Sequence, residues 1–165
     1  SLAVGQGRLT ATPLQVVRMM AAVANGGRLV TPHVVDRLGL PQSAEDAPPE
    51  VFDDDPVGHR PARLIAGLRP ETLATVREGL DRVVADPAGT AYGTVRLDSI
   101  AIAGKTGTAQ SSGDGEDHAW FAGYAPAEQP ELAFVVVLEH SGNAATAAGP
   151  IVKALVQQMQ KLGML

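Results

Sequence analysis

Lys105, Thr106 and Thr108 crowd into one four-residue run, and Gly107 leaves bare backbone between the two threonines. Lysine brings a compact cation with three donors, and each threonine brings a hydroxyl that donates and accepts. On an extended chain, residues 106 and 108 point to the same side, and a glycine between them lets a ligand approach the backbone. The run is preceded by Ile100-Ala101-Ile102-Ala103-Gly104, an apolar, strand-like lead-in. Residues of these types in this order look like the edge of an active site.

Phosphate binding is the first chemistry to test, because Gly104-Lys105-Thr106 matches the end of the G-x-x-x-x-G-K-[ST] phosphate loop. The match fails at its leading glycine, whose place is held by Ser99. Alternating Ile and Ala replace the flexible loop, and Gly107 opposes the helix that must follow. Gly5-Gln6-Gly7 lacks the third glycine and the preceding strand of a dinucleotide loop, and reads as a tight turn. Asp53-Asp54-Asp55 has no glycine-spaced calcium-loop pattern and reads as a solvated acidic loop. His33, His59, His118 and His140 are scattered without zinc-binding spacing. No metal and no cofactor is expected.

The elements that must position Lys105 are legible around it. Thr12 reads as an N-cap, Pro13 as the first helical residue and Gln15 as the other half of a capping box. Val16, Val17, Met20, Val23 and Ala24 make the buried stripe of that helix, and Asn25-Gly26-Gly27 stops it. Short extended pieces are expected at Leu29-Val30 and Val34-Val35. From about 39 to 61 the chain is rich in Pro, Asp and Glu, an exposed connection. A second helix begins at Pro70, carries Leu73, Val76, Leu80, Val83 and Val84 on one face, and ends at Asp86-Pro87.

Three strands follow, Ser99 to Gln110, His118 to Ala125 and Leu132 to His140, and their short links demand antiparallel neighbours. Phe134-Val135-Val136-Val137-Leu138 is apolar on both faces, so the sheet is expected to be covered on both sides. A final helix from about Ala147 presents Val152, Leu155, Met159 and Leu162 to it. Trp120 and Phe121 fall on opposite faces of the middle strand, each expected to pack in a core. His118 would open that strand near Lys105 if the hairpin is regular, and reads as a turn histidine. The fold class is α+β, an antiparallel sheet covered by helices.

With 165 residues, 45% apolar, the chain suffices for one buried core. A net charge of −5 argues against nucleic acid as a main partner. No apolar run approaches the ~20 residues needed to cross a bilayer. The absence of cysteine excludes disulfides and thiolate metal sites.

Several segments carry a resemblance. Leu2-Ala3-Val4-Gly5-Gln6-Gly7-Arg8-Leu9-Thr10-Ala11-Thr12-Pro13-Leu14-Gln15, Asn25-Gly26-Gly27, Asp86-Pro87-Ala88-Gly89-Thr90-Ala91, Lys105-Thr106-Gly107-Thr108 and His118-Ala119-Trp120-Phe121-Ala122-Gly123-Tyr124-Ala125-Pro126 occur in this order. Together they resemble the transpeptidase domain of penicillin-binding proteins, most closely the class B type that builds lateral cell wall. The resemblance implies a partial β-lactamase-like fold and an enzyme in which a serine attacks D-alanyl-D-alanine, forms an acyl-enzyme and cross-links peptidoglycan stem peptides. β-Lactam antibiotics would mimic that substrate.

By the same resemblance, Lys105 places positive charge near the nucleophile and the substrate carboxylate. Thr106, Gly107 and Thr108 bind substrate, with Thr108 the favoured carboxylate partner. The backbone N–H of Thr108 is the candidate oxyanion donor. The family's nucleophilic Ser-x-x-Lys and its Ser-x-Asn motif precede the Gly-Gln-Gly segment. None of Ser1, Ser43, Ser99, Ser111, Ser112 and Ser141 has Lys three positions on. Ser141-Gly142-Asn143 follows the Lys-Thr-Gly strand, the wrong order, and reads as a turn.

Residues 1–165 are therefore expected to be the C-terminal part of one transpeptidase domain, inactive without the upstream half of the same domain. Family partners would be cell-wall elongation proteins. The family works at the extracytoplasmic face of the bacterial cytoplasmic membrane, anchored by an upstream segment. A second reading is a binding module, either a β-lactam sensor or an inactive homologue that keeps the cleft without turnover.

Overall fold

A computed structural model describes residues 10–34, 62–111 and 115–165. The Gly5-Gln6-Gly7 turn, the acidic connection at about 39–61, the three consecutive aspartates and His59 lie outside the described residues.

Helix α1 spans Pro13–Ala24, with the start read from its sequence. The Gln15 N–H donates to Thr12 Oγ1 at 3.2 Å, and the Thr12 N–H donates to Gln15 Oε1 at 2.8 Å. These bonds satisfy two of the donors that a helix leaves open at its beginning. The helix stops where the Asn25 N–H reaches the Ala21 carbonyl and Gly26 and Gly27 take φ of 83° and 90°, a region that favours glycine. Met20, Ala22 and Ala24 are buried, with Val16 and Val23 packed beside them.

The chain then forms β1, Arg28–Leu29, paired antiparallel with β2, Arg63–Leu64. The expected piece at Leu29-Val30 is thus met at Leu29; of the piece expected at Val34-Val35, Val34 is fully exposed and outside any strand, and Val35 lies outside the described residues. A two-residue strand such as β2 has no periodicity to read, and its place is set by pairing.

Helix α2 runs Pro70–Ala85, the expected range. Val84 is buried and Leu73, Leu80 and Val83 are half-buried, but Val76 is 43% exposed. Arg77 takes the inward place instead. Its guanidinium carbon lies 5.9 Å from the centre of the Tyr124 ring, and its Nη2 donates to the Ala127 carbonyl. Burial raises the Tyr124 pKa above its ordinary value, against the opposing hydrogen bond and charge of Arg77. After the turn at Asp86 comes a single helical turn, α3, Tyr92–Val95, which the sequence patterning did not anticipate.

Strands β3 (Ala103–Ala109), β4 (His118–Ala125) and β5 (Leu132–Leu138) form one antiparallel sheet in that order. The bounds of β4 match the expectation. β3 begins four residues later than Ser99 because the last paired residues are Ala103 and Tyr124, and Pro126 follows β4 without an N–H to extend the ladder. Residues 99–102 instead pack forward, with Ile102 buried and the Ser99 hydroxyl donating to Gln160 at 2.9 Å. β5 ends before His140, which has φ 50° and starts the turn through Ser141 and Gly142.

Asn143 ends that turn by capping α4, Ala144–Lys161, with Oδ1 accepting from the Ala145 and Thr146 N–H groups. This cap explains why the helix starts three residues ahead of Ala147. Val152 and Val156 are its buried residues near the middle, while the expected Leu162 lies beyond the helix and is 65% exposed.

The sheet is covered on both sides, as the double-faced pattern of β5 predicts. Ala119, Phe121 and Phe134 join Val152 and Val156 of α4 in one core. Ala122, Tyr124 and Ala103 join Met20 and Ala24 of α1 in the other. The Phe121 and Phe134 rings stack with centroids 6.3 Å apart.

Two glycines make room for this packing. A Cβ on Gly104 would fall 2.5 Å from Phe121 Cζ, and one on Gly123 would fall 2.6 Å from the Ala103 carbonyl. Gly104→Ala therefore lowers the unfolding free energy by about 1–3 kcal/mol in urea denaturation. Gly79→Ala, in α2 with open space around the new methyl, raises it by about 0.4–1 kcal/mol.

Candidate active site

β3 is an edge strand of its sheet among the described residues, so the side away from β4 is open for a ligand or another part of the protein. Lys105 pairs with Ala122, Thr106 with Phe121, Gly107 with Trp120 and Thr108 with Ala119. Thr106 and Thr108 consequently share one face, as the extended run implied, and Lys105 starts from the other. The lysine stem curls along the edge. Its Nζ donates to the Thr106 carbonyl at 2.7 Å and lies 3.5 Å from Thr106 Oγ1. Cation and hydroxyl thus converge on one spot. Lys105 and Thr108 are exposed, and Thr106 and Gly107 are half-buried.

The two glycines flanking Lys105 and Thr106 differ in what requires them. Gly104 is demanded by Phe121. At Gly107 an added Cβ would meet only Trp120 Cβ at 3.5 Å, an ordinary contact. Packing among the described residues does not require a glycine there.

Sequence reasoning missed Thr90. Its Oγ1 lies 2.9 Å from Thr106 Oγ1, bringing the turn after α2 against the strand. Thr90 stands sixteen positions before Thr106, and no local spacing signals such a contact.

His118 pairs with Ala109, four positions from the Ala122 that faces Lys105, so it stands at the far end of the hairpin and not beside the lysine. Its Nδ1 accepts the His140 N–H at 3.1 Å, and the two rings lie 4.6 Å apart. It ties β4 to the turn after β5. Phe121 is fully buried in the core, as expected, whereas Trp120 is only half-buried.

A mixed layered unit, with a Lys-Thr-Gly element on the edge strand of an antiparallel sheet and a helix on each sheet face, is the fold of penicillin-binding protein transpeptidase domains. The chain matches the family model of the penicillin binding protein transpeptidase domain over residues 1–157, and it belongs to that family. It is 35% identical over 168 residues to the peptidoglycan D,D-transpeptidase MrdA of Acinetobacter baumannii, covering 92% of this chain and 23% of that protein. Among solved structures it is similar to penicillin-binding protein PBP2 of Helicobacter pylori, with TM-score 0.78 and 30% identity, over 99% of this chain and 27% of that one. It is likewise similar to penicillin-binding protein A of M. tuberculosis, solved as an imipenem acyl-enzyme, with TM-score 0.71 and 30% identity, over 94% of this chain and 32% of that one. The chain thus spans about a quarter of the length of the curated relatives it matches. Among the described residues no helix is long and apolar enough to cross a membrane.

The contrast between the two glycines is testable by thermal and urea unfolding. Gly107→Ala leaves stability unchanged or raises it by about 0.5 kcal/mol, opposite in sign to Gly104→Ala.

Proposed function

We propose that this chain is the C-terminal part of a serine D,D-transpeptidase domain and supplies the cation, hydroxyl and oxyanion wall of its cleft. The observation that carries the reading is the open β3 edge, where the Lys105 ammonium is drawn onto Thr106 beside a glycine that packing does not need. The family and the names of the relatives support it: MrdA is a peptidoglycan D,D-transpeptidase, and the mycobacterial protein was solved acylated by imipenem.

In this reading a serine from a segment outside the present sequence attacks the carbonyl carbon of the penultimate D-alanine. Its proton leaves with the departing terminal D-alanine, whose amide C–N bond breaks, and an ester joins the peptide to the serine. An amine of a neighbouring stem peptide then attacks the ester, forms the new amide and returns a proton to the serine. Lys105 and the hydroxyls of Thr106 and Thr108 hold the substrate carboxylate, and the Thr108 N–H donates to the oxyanion. A β-lactam follows the first step with its ring amide, and its leaving amine stays tethered.

The protein works at the outer face of the cytoplasmic membrane with wall-elongation partners. The solved complex of the Helicobacter pylori relative with MreC supports the partner assignment.

Labelling of the full-length protein with fluorescent penicillin tests the proposal. One label per chain is expected, with Lys105→Ala slowing labelling about 10- to 100-fold, the worth of a charged hydrogen bond. Gly107→Ala slows labelling while the protein stays as stable as wild type. A Lys105→Ala protein that labels at the wild-type rate overturns the assignment.

A further inference from the structure

We propose that Thr90 is a positioning residue of this cleft, which aims the Thr106 hydroxyl proton at the bound carboxylate; the inference rests on reading β3 as the cleft wall. Among the described residues Thr106 Oγ1 has two polar neighbours, Thr90 Oγ1 at 2.9 Å and Lys105 Nζ at 3.5 Å. An ammonium donates and never accepts, so the Thr106 proton cannot be directed at Lys105. It goes to Thr90 or to a ligand. When an anionic carboxylate arrives, Thr90 turns its own proton onto Thr106 Oγ1, and the Thr106 proton is left for the carboxylate. A hydroxyl that both accepts and donates in this way is aligned before the ligand binds.

The backbone holds Thr90 where this role needs it. The Gly89 N–H donates to the Asp86 carbonyl at 2.7 Å, and the Ala91 N–H donates to the Val83 carbonyl at 3.0 Å. Asp86 Oδ1 accepts the Ala88 N–H at 2.8 Å, closing the turn from the other side. A Cβ on Gly89 would lie 2.4 Å from the carbonyl oxygens of Arg82 and Val83, so only glycine lets the chain lie so close to the end of α2. Ala91 is fully buried. Thr90 itself is exposed between two anchored neighbours, so its hydroxyl does no evident packing work.

The test measures the second-order rate of acylation of the full-length protein by fluorescent penicillin, alongside its Tm. Thr90→Val, which keeps the shape and deletes the hydroxyl, slows acylation about five- to tenfold at unchanged Tm. Thr90→Ser restores the rate to within about twofold. Thr106→Val is slow already, and adding Thr90→Val to it causes no further loss, because both deletions remove one relay. Thr90→Ala gives the same loss as Thr90→Val, so the result does not depend on how valine fits.

A wild-type rate for Thr90→Val and Thr90→Ala overturns the inference, as does a Thr90→Ser protein as slow as Thr90→Val, or losses that multiply in the double variant. Lys105→Ala separates the two levels. If it is slow while Thr90→Val is normal, only the role of Thr90 fails; if it too is normal, the cleft reading fails with it.

Discussion

Phe121 lies across the one place where neighbouring strands both lack side chains, over Gly104 and beside Gly123. Any Cβ there collides with the ring or with the Ala103 carbonyl, so the close approach of β3 to β4 depends on this pair of glycines. The register follows from it. A slip of β3 by one residue would turn Lys105 onto the face where Phe121 packs against α4, and would carry Thr106 and Thr108 to the opposite face. The ring is held in turn by Phe134 and by the α4 residues of the same core. The chemistry at the sheet edge is thus positioned by an apolar contact at its centre.

From that register the edge acquires its character. Apolar residues of β4 and β5 alternate between two cores, which leaves β3 to carry the polar residues at the rim. Among the described residues Lys105 has no carboxylate partner, and its ammonium rests on the backbone and hydroxyl of the next residue. A cation held by neutral groups retains its attraction for an anion, because no fixed counter-charge must be displaced. Thr106 is reached from two directions, by this ammonium and by Thr90 from the turn after α2. The helix end, the glycine turn and the strand edge are thereby joined at one hydroxyl.

Much of this was legible in the chain. The capping box at Thr12 and Gln15, the proline starting α2 and the double-faced β5 are local or periodic signals, and local chemistry determines them. The bounds of β4 were legible because a His-led apolar run ends at Ala125-Pro126. What was not legible depended on tertiary partners. β2 is two residues long and exists only through pairing with β1. The start of β3 is set by where β4 stops. Val76 shares the apolar stripe of α2 by period, yet Arg77 fills the inward place because Tyr124 and the Ala127 carbonyl await it. The Lys-Thr-Gly element announced itself as a motif, but Thr90 could be found only once the turn and the strand were brought together.

The most direct measurement is a crystal structure of the full-length protein acylated by a penicillin. The ligand carboxylate is predicted to lie within hydrogen-bonding distance of the Thr106 and Thr108 hydroxyls, near Lys105 Nζ, with the acyl oxygen on the Thr108 N–H. A carboxylate bound away from β3, or an acyl oxygen held by groups outside this strand, would contradict the assignment.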